Sequence, residues 1–327
     1  MQSRRSRVPA TAAGFAAAAC LFVHFTGAAA AQQKIPPVQV APPGETGRRI
    51  TEEGLLANYF PAQRKTPAVL ALGGSVGGLS SMMNDTSKAL QAEGFSVLHL
   101  SYYRGPGQSG RIELIPLEYF ATALAWLRRQ PEADPTRIGI VGASKGAEAA
   151  LVLAVRHPEL KAVIAALPSS VVWPGVVWEG STAPISSSWS EQGRPVPHLP
   201  HVPFDARRGG TTAENYAASL KALLQHPEAV IPVERIAGRV LLVCAEDDRV
   251  LPSCPMARQI QERFREHDRL DEILLAYKDA GHAAFGLPLP LDDPRLTSGG
   301  GTVQGTNAAR SDSWKKAVAF LKANLGH

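Results

Sequence analysis

The sequence predicts a domain of alternating β-strands and α-helices, built around a mostly parallel sheet with helices on both faces. The first observation is a series of short apolar runs, at residues 55–60, 68–72, 96–100, 138–141, 162–167, 240–245 and 273–277. The second is that patterns of helical length separate them, at residues 86–93, 117–129, 145–156, 215–224, 255–266 and 312–323. Strands that alternate with helices indicate parallel pairing, because each parallel connection needs a crossover. Both faces of such a sheet are covered, so its strands are apolar throughout.

Length and composition are those of a globular chain. Of the 327 residues, 45% are hydrophobic, which allows a substantial core. The formal charge is +5, but three arginines fall in residues 1–31, which contain no acidic residue. Without them, 31 of the 34 basic residues remain against 29 acidic ones, a net charge of +2. Nucleic-acid binding needs a clustered basic face, so this composition argues against a nucleic-acid partner.

The first 31 residues have the pattern of a secretory signal peptide. A basic start precedes an apolar, alanine-rich stretch at residues 10–25, and small residues provide a cleavage point near Ala31. A membrane anchor is the alternative, but the stretch is shorter than the ~20 residues of a span and contains His24. A mitochondrial presequence would be amphipathic rather than apolar. We therefore predict a periplasmic or secreted protein without a membrane span after processing, in which a linker (residues 32–48) precedes a globular domain (residues 49–327).

Two cysteines remain after removal of the leader, Cys244 and Cys254. In an exported protein a disulfide between them would persist. The alternative is two unpaired thiols, one in a strand and one in a loop, because sequence spacing does not fix the distance between the two Cα atoms.

Residues 168–210 break the alternation of strands and helices. They are dense in Pro, Ser, Gly and Trp and show no periodicity. A long irregular segment in a compact domain is typical of a functional loop or of disorder. Trp173, Trp178 and Trp189 favour order, since large aromatic side chains seldom stay exposed in disordered segments. We interpret the segment as a cap insertion over the functional site, whose tryptophans either line an apolar pocket or hold the cap together.

The most informative motif is a Gly-x-Ser-x-Gly turn at residues 142–146. It follows the predicted strand at residues 138–141 and leads directly into the predicted helix at residues 145–156. In this context the turn is so sharp that the serine is lifted into the open, and larger side chains at the glycine positions would collide with neighbouring elements. Ser144 is therefore the candidate nucleophile. The first helical amide, that of Lys145, is a candidate donor to a developing oxyanion.

Ser144 needs partners, because a hydroxyl is a weak nucleophile at neutral pH and requires a base that is itself oriented by an acid. After such a turn the acid comes first along the chain and the histidine second. The sixth predicted strand leads into Asp247 and Asp248; we favour Asp248 as the acid and keep Asp247 as the alternative. The seventh leads into His282 on a loop of small residues, and no other histidine is as well placed. These residues predict a catalytic triad in an α/β-hydrolase fold.

A glycine-rich loop at residues 73–78 follows the second predicted strand. Glycine lets a backbone approach a substrate closely, so we expect the second oxyanion donor here, the amide of Ser75 or of Val76. A phosphate-binding loop would end in Gly-Lys-Ser/Thr, and this loop lacks the lysine.

No spacing typical of a metal site occurs in the sequence. His198 and His201 lie three positions apart, but the surrounding prolines favour ordinary loop residues. Paired Cys-x-x-Cys and His-Glu-x-x-His motifs are absent. We predict neither a metal nor a cofactor.

Several motifs together resemble the C-terminal catalytic domain shared by acyl-CoA thioester hydrolases and bile acid-CoA:amino acid N-acyltransferases. They are Gly73-Gly74, Ser101-Tyr102-Tyr103, Leu117-Glu118-Tyr119-Phe120, Gly142-Ala143-Ser144-Lys145-Gly146, Asp247-Asp248, Gly281-His282 and Asp312-Ser313-Trp314. The resemblance extends over residues 67–325. It implies a dienelactone-hydrolase-like α/β-hydrolase fold, with Ser144, Asp248 and His282 as the triad.

The resemblance also bears on the reaction. The family's acyltransferases use cysteine as nucleophile where this chain has Ser144, and a serine acyl-enzyme is more naturally passed to water. A small-molecule acyl thioester is therefore the expected substrate. Because acyl-CoA is a cytoplasmic metabolite, predicted export favours a carboxylesterase or a dienelactone-hydrolase-like ester hydrolase as the alternative. A non-catalytic binding protein with the same fold is a further alternative, although all three triad positions hold suitable residues in suitable loops.

Overall fold

The structure is a computed structural model that describes residues 38–177, 184–203, 210–269 and 272–326. The predicted signal peptide and the first residues of the predicted linker lie outside this range. Within the described ranges no helix has the length and apolar character needed to cross a membrane.

The chain folds as a three-layered α/β domain around an eight-stranded sheet. Its strands are β1 (Arg48–Ile50), β2 (Leu56–Phe60), β3 (Thr66–Leu72), β4 (Ser96–Ser101), β5 (Ile115–Pro116), β6 (Ala133–Ala143), β7 (Leu160–Ala166), β8 (Trp189–Glu191), β9 (Arg194–Pro195), β10 (Arg239–Ala245) and β11 (Ile273–Tyr277). The order in the main sheet is β1-β2-β4-β3-β6-β7-β10-β11. From β4 to β11 all neighbours are parallel, whereas β2 runs antiparallel to both β4 and β1.

Seven α-helices occur in the described residues. They are α1 (Ser81–Ala92), α2 (Leu117–Arg128), α3 (Lys145–Arg156), α4 (Thr212–Leu220), α5 (Ser253–Glu266), α6 (Arg295–Ser298) and α7 (Val303–Leu325). Of these, α1, α2, α3, α5 and α7 cover the two faces of this sheet. Side chains of β3 alternate between the two resulting cores: Leu70 belongs to the core that includes α2, α3 and α5, and Val69 belongs to the core that includes α1 and α7. Every residue of β3 is buried, as expected for a strand covered on both faces.

All seven predicted strands occur in the main sheet, so the predicted fold class is confirmed. The main differences lie at element ends and edges. The edge strand β1 has no counterpart among the seven predicted strands, because its sequence Arg-Arg-Ile lacks an apolar run. Helix α1 begins earlier than predicted, since the Ser80 hydroxyl accepts a hydrogen bond from the Met83 amide and caps it.

Part of the predicted linker packs against the domain. The Ala41 amide donates to the Leu79 carbonyl at 2.8 Å, and the Ala41 carbonyl accepts from Asn58 Nδ2, also at 2.8 Å. Asn84 Nδ2 donates to the Pro42 carbonyl at 3.1 Å. Residues 38–47 therefore follow the domain surface up to β1.

The described part of residues 168–210 is an ordered, largely buried layer. It contributes β8 and β9, which join β5 in a small three-stranded sheet. Trp173 and Trp189 are almost fully buried, and Trp189 packs against Tyr102 and Phe120 with ring centroids 5.8 and 5.9 Å apart. Trp178 and the two gaps, residues 178–183 and 204–209, lie outside the described residues. The two described tryptophans thus hold the segment against the domain.

Cys244 and Cys254 form a disulfide, with Cα atoms 4.9 Å apart. Cys244 lies near the end of β10 and Cys254 in the first turn of α5, and both side chains are fully buried. The bridge therefore closes the loop that joins these two elements.

We expect reduction of this disulfide to lower the free energy of unfolding by about 2–3 kcal/mol, because a bridge across a sequence separation of 10 residues restricts the unfolded chain. Urea unfolding of oxidised and reduced wild-type protein measures the difference. Reduced wild type is a better comparison than cysteine-to-alanine variants, which would also create a cavity. Two free thiols in the unfolded, unreduced mature protein would contradict the bridge.

Candidate active site

Ser144 occupies the one-residue turn between β6 and α3. Its φ of 56° is unusual for a residue with a side chain, and the tight turn leaves no space beside it. A Cβ on Gly142 would lie 2.0 Å from the Gly146 carbonyl oxygen, and one on Gly146 would lie 2.4 Å from the Leu72 oxygen. Both glycines are therefore required by packing. Ser144 itself remains partly exposed at the end of the strand.

His282 lies between Ser144 and Asp248. Its Nε2 is 2.9 Å from Ser144 Oγ, and its Nδ1 is 2.9 and 3.0 Å from the two carboxylate oxygens of Asp248. With a proton on Nδ1, the ring donates to Asp248 and its Nε2 accepts from the serine hydroxyl. The structure thus brings together three side chains that sequence analysis selected from three separate loops. Their arrangement can transfer the hydroxyl proton to histidine as the oxygen attacks.

The geometry separates the two candidate acids. Asp248 is buried, and its Oδ1 also accepts the Val250 and Leu251 amides, both at 3.0 Å. The Asp247 side chain is 43% exposed, and its Oδ2 accepts the Gly301 amide at 2.8 Å. Asp248 therefore contacts the histidine, whereas Asp247 joins its loop to the residues before α7.

His282 is positioned by a run of three glycines, residues 299–301. Sequence analysis did not select these residues. The His282 amide donates to the Gly299 carbonyl at 3.0 Å. A Cβ on Gly299 would lie 2.6 Å from His282 Cβ, and one on Gly300 would lie 1.9 Å from the Asp247 carbonyl oxygen. Residues 299–301 therefore pack between the loop after β10, which contains Asp247 and Asp248, and the loop that contains His282. Three successive glycines just before a helix were the available sequence signal.

The predicted oxyanion donors are three backbone amides in the two segments around Ser144. The Lys145 amide is the first of α3, where amide groups lack intrahelical acceptors. A Cβ on Gly74 would lie 3.2 Å from Ser144 Cβ, so the glycine-rich loop lies against the nucleophile. The next amides, Ser75 and Val76, are the sequence-predicted donors. Neither donates a hydrogen bond within the described residues.

The Lys145 side chain points away from solvent and pairs with Glu148. The Nζ–Oε2 distance is 2.8 Å, and both side chains are buried. Glu148 Oε1 accepts from Trp189 Nε1 at 2.9 Å and from the Trp173 amide at 3.2 Å. Burial lowers the pKa of Lys145 and raises that of Glu148, while the opposite charge of the partner counteracts both shifts. The pair therefore links the first turn of α3 to two separate parts of residues 168–210.

His99 and His201 make no hydrogen bond to the three side chains of this site. His99 lies within β4, where burial lowers its pKa to about 3 and its ring nitrogens have no partner. The exposed His201 stacks on Trp173 with ring centroids 5.1 Å apart. Within the described ranges no cluster of three His, Cys, Asp or Glu residues could hold a metal ion.

Comparison with known proteins places these features in a family. Residues 115–327 match the family described as "BAAT / Acyl-CoA thioester hydrolase C terminal". Bile acid-CoA:amino acid N-acyltransferase from Mus musculus is 27% identical over 294 residues, which cover 86% of this chain and 66% of that protein. Acyl-coenzyme A thioesterase 1 from Homo sapiens is 27% identical over 299 residues, covering 87% and 67%. The chain thus spans about two thirds of the length of these curated relatives.

Solved structures share the fold at lower identity. The Pyrococcus furiosus esterase aligns with a TM-score of 0.55 and 16% identity, covering 89% of this chain and 100% of that one. A dienelactone hydrolase-like promiscuous phosphotriesterase from metagenomic libraries aligns with a TM-score of 0.53 and 16% identity, covering 85% and 98%. The dienelactone-hydrolase-like α/β-hydrolase fold is therefore confirmed.

We expect Asp248→Asn to lower kcat by about 10³–10⁴-fold, because an amide at this position cannot hold the required histidine tautomer. Asp247→Asn, a matched change one residue away, should keep kcat within about threefold, because Asp247 does not contact His282 and the asparagine oxygen can still accept the Gly301 amide. Steady-state hydrolysis of an ester that the wild type accepts measures both. Equal losses in the two variants would contradict the assignment of Asp248.

Proposed function

The chain belongs to the family of acyl-CoA thioester hydrolase and bile acid-CoA:amino acid N-acyltransferase C-terminal domains. We propose that it is a serine hydrolase, which cleaves an acyl thioester through an acyl-enzyme on Ser144. The observation that carries the proposal is the continuous hydrogen-bonded series from Asp248 through His282 to Ser144. Membership of this family supports hydrolase activity in general, and the thioester substrate is our proposal.

The proposed reaction has two stages. In the first, Ser144 Oγ attacks the thioester carbonyl while His282 Nε2 takes its proton, and Asp248 stabilises the imidazolium. The Lys145 amide and a second amide from Ser75 or Val76 stabilise the oxyanion. Collapse breaks the carbon–sulfur bond, and the thiol leaves with the proton held by His282. In the second stage His282 activates a water, which releases the acid and restores Ser144.

Two considerations favour a thioester and transfer of the acyl group to water. Relatives include acyl-coenzyme A thioesterase 1 from both Rattus norvegicus and Homo sapiens. Ser144, rather than a cysteine, forms the acyl-enzyme, and an oxygen ester on serine is readily hydrolysed.

A carboxylic ester is the second candidate substrate, because we also propose that the protein is exported. The leader at residues 1–31 and the disulfide between Cys244 and Cys254 support export, since disulfides persist in oxidising compartments. Such a location would separate the enzyme from cytoplasmic acyl-CoA. Mass spectrometry of the exported protein tests this proposal: cleavage near Ala31 gives a chain that begins near Gln32, whereas an intact leader would contradict it.

A matched substrate panel tests the function. It contains acyl-CoA thioesters, N-acetylcysteamine thioesters and p-nitrophenyl esters of the same acyl chains, assayed with wild type and Ser144→Ala. Loss of the nucleophile should reduce kcat by about 10⁴–10⁶-fold. Ser87→Ala is the matched control, because Ser87 lies in α1 and its hydroxyl donates to the Met83 carbonyl of the same helix.

The pattern across the panel identifies the substrate class. Preference for both thioesters over the esters supports thioester cleavage, and additional preference for acyl-CoA over N-acetylcysteamine shows recognition of the CoA moiety. Preference for the oxygen esters supports the second candidate. Inactivity of the wild type on every substrate would contradict a serine hydrolase and favour a binding protein. Equal activity of Ser144→Ala would contradict Ser144 as the nucleophile.

A further inference from the structure

Three consecutive residues after β4 hold the glycine-rich loop at residues 73–78. Tyr102 Oη donates to the Gly73 carbonyl at 2.8 Å, and Tyr103 Oη donates to the Ser75 carbonyl. Arg104 Nη1 donates to the Val76 carbonyl at 2.9 Å. Three side chains of one short segment thus fix three carbonyl groups of a six-residue loop.

Packing and backbone bonds reinforce this contact. The Gly78 amide donates to the Tyr103 carbonyl at 2.8 Å, and the Gly77 amide closes a turn onto the Gly74 carbonyl at 3.3 Å. Gly77 has a φ of 76°, and a Cβ at this position would lie 2.7 Å from the Tyr103 ring. The loop therefore lies directly on the tyrosine ring, at a distance that only glycine permits.

The Ser75 carbonyl determines the direction of one amide. In a planar trans peptide the C=O of one residue and the N–H of the next point in opposite directions. Tyr103 is fully buried, whereas Ser75 and Val76 are only partly buried. Since the Ser75 carbonyl points to the hydroxyl of the buried Tyr103, the Val76 N–H points in the opposite direction, away from the Tyr103 ring.

Gly74, the first residue of the same turn, lies against Ser144. A Cβ on Gly74 would lie 3.2 Å from both Ser144 Cβ and the Ala143 carbonyl oxygen. The Val76 amide has no acceptor within the described residues. An amide without a partner, two residues from the nucleophile contact, is suited to bind a negative charge that develops beside Ser144.

We propose that Tyr103, supported by Tyr102 and Arg104, is a positioning residue that orients the Val76 amide as the second oxyanion donor. This inference rests on the proposed function, because it concerns the same acyl-transfer step. It assigns a role to the Ser101-Tyr102-Tyr103 motif and distinguishes between the two candidate amides. Tyr103 touches no reacting atom and acts only through the peptide group between Ser75 and Val76.

Tyr103→Phe tests the proposal, because it keeps the ring under Gly77 and removes only the hydroxyl. We expect kcat to fall about 10–100-fold with KM unchanged within about twofold, since loss of a whole oxyanion donor costs about 10²–10³-fold. A trifluoromethyl ketone with the preferred acyl chain, which forms an anionic adduct with the serine, should bind more weakly by the same factor. The matching thioether, which has no carbonyl group, should bind equally to both proteins.

Tyr119→Phe is the matched control. The Tyr119 hydroxyl donates to the Ser101 carbonyl at 2.8 Å, one residue before the same segment, but does not contact the glycine-rich loop. We expect kcat and ketone affinity of this variant within about twofold of wild type. Thermal unfolding of both variants measures any general loss of stability. A purely structural role of Tyr103 would lower the stability without a selective loss of ketone binding.

Three results would overturn the proposal while the function stands: an unchanged kcat in Tyr103→Phe, a lower kcat with unchanged ketone affinity, or equal losses in Tyr119→Phe. A wild type that hydrolyses nothing in the substrate panel would overturn the proposed function, and the role of Val76 with it.

Discussion

Four parallel strands end at one edge of the central sheet, and the candidate site depends on this constraint. The glycine-rich loop follows β3, Ser144 follows β6, Asp248 lies in the loop after β10 and His282 follows β11. Parallel strands place all their carboxyl ends on the same side, so these loops meet although 138 residues separate Ser144 from His282. Because β6 and β3 are neighbours, the turn at Ser144 also lies directly beside Gly74.

Contacts on both sides of the loop after β10 then fix the orientation of the Asp248 side chain. The disulfide joins the end of β10 to the start of α5, and two amides inside the loop donate to the carboxylate. On the other side, Asp247 accepts the Gly301 amide and draws the glycine run 299–301 against the loop. The same run accepts the His282 amide. Acid and base are therefore held by a common set of backbone contacts, which keeps their separation constant.

Sequence predicts the features whose causes are local. A strand buried on both faces must be apolar throughout, so β3 is recognisable alone, and the steric requirements of the turn around Ser144 are contained within five residues. The choice between Asp247 and Asp248 is not local, because it depends on an amide 54 residues further along the chain. The role of Gly299 is likewise visible only when two distant loops are in contact. The edge strand β1 has no apolar run from which to predict it, because two of its three residues are arginines.

Lys145 links the turn at Ser144 to the described part of the predicted cap, residues 168–210. Its amide begins α3 beside the nucleophile, while its buried ammonium pairs with Glu148, which bonds Trp173 and Trp189. Withdrawal of these cap residues would break the bonds to Glu148 and leave the ion pair without partners, at a considerable cost in free energy. The half-exposed pair Arg156–Glu191 joins the other end of α3 to β8 and would resist far less. The described part of this segment is therefore held more firmly at the first turn of α3, which follows Ser144, than at the last turn of the same helix.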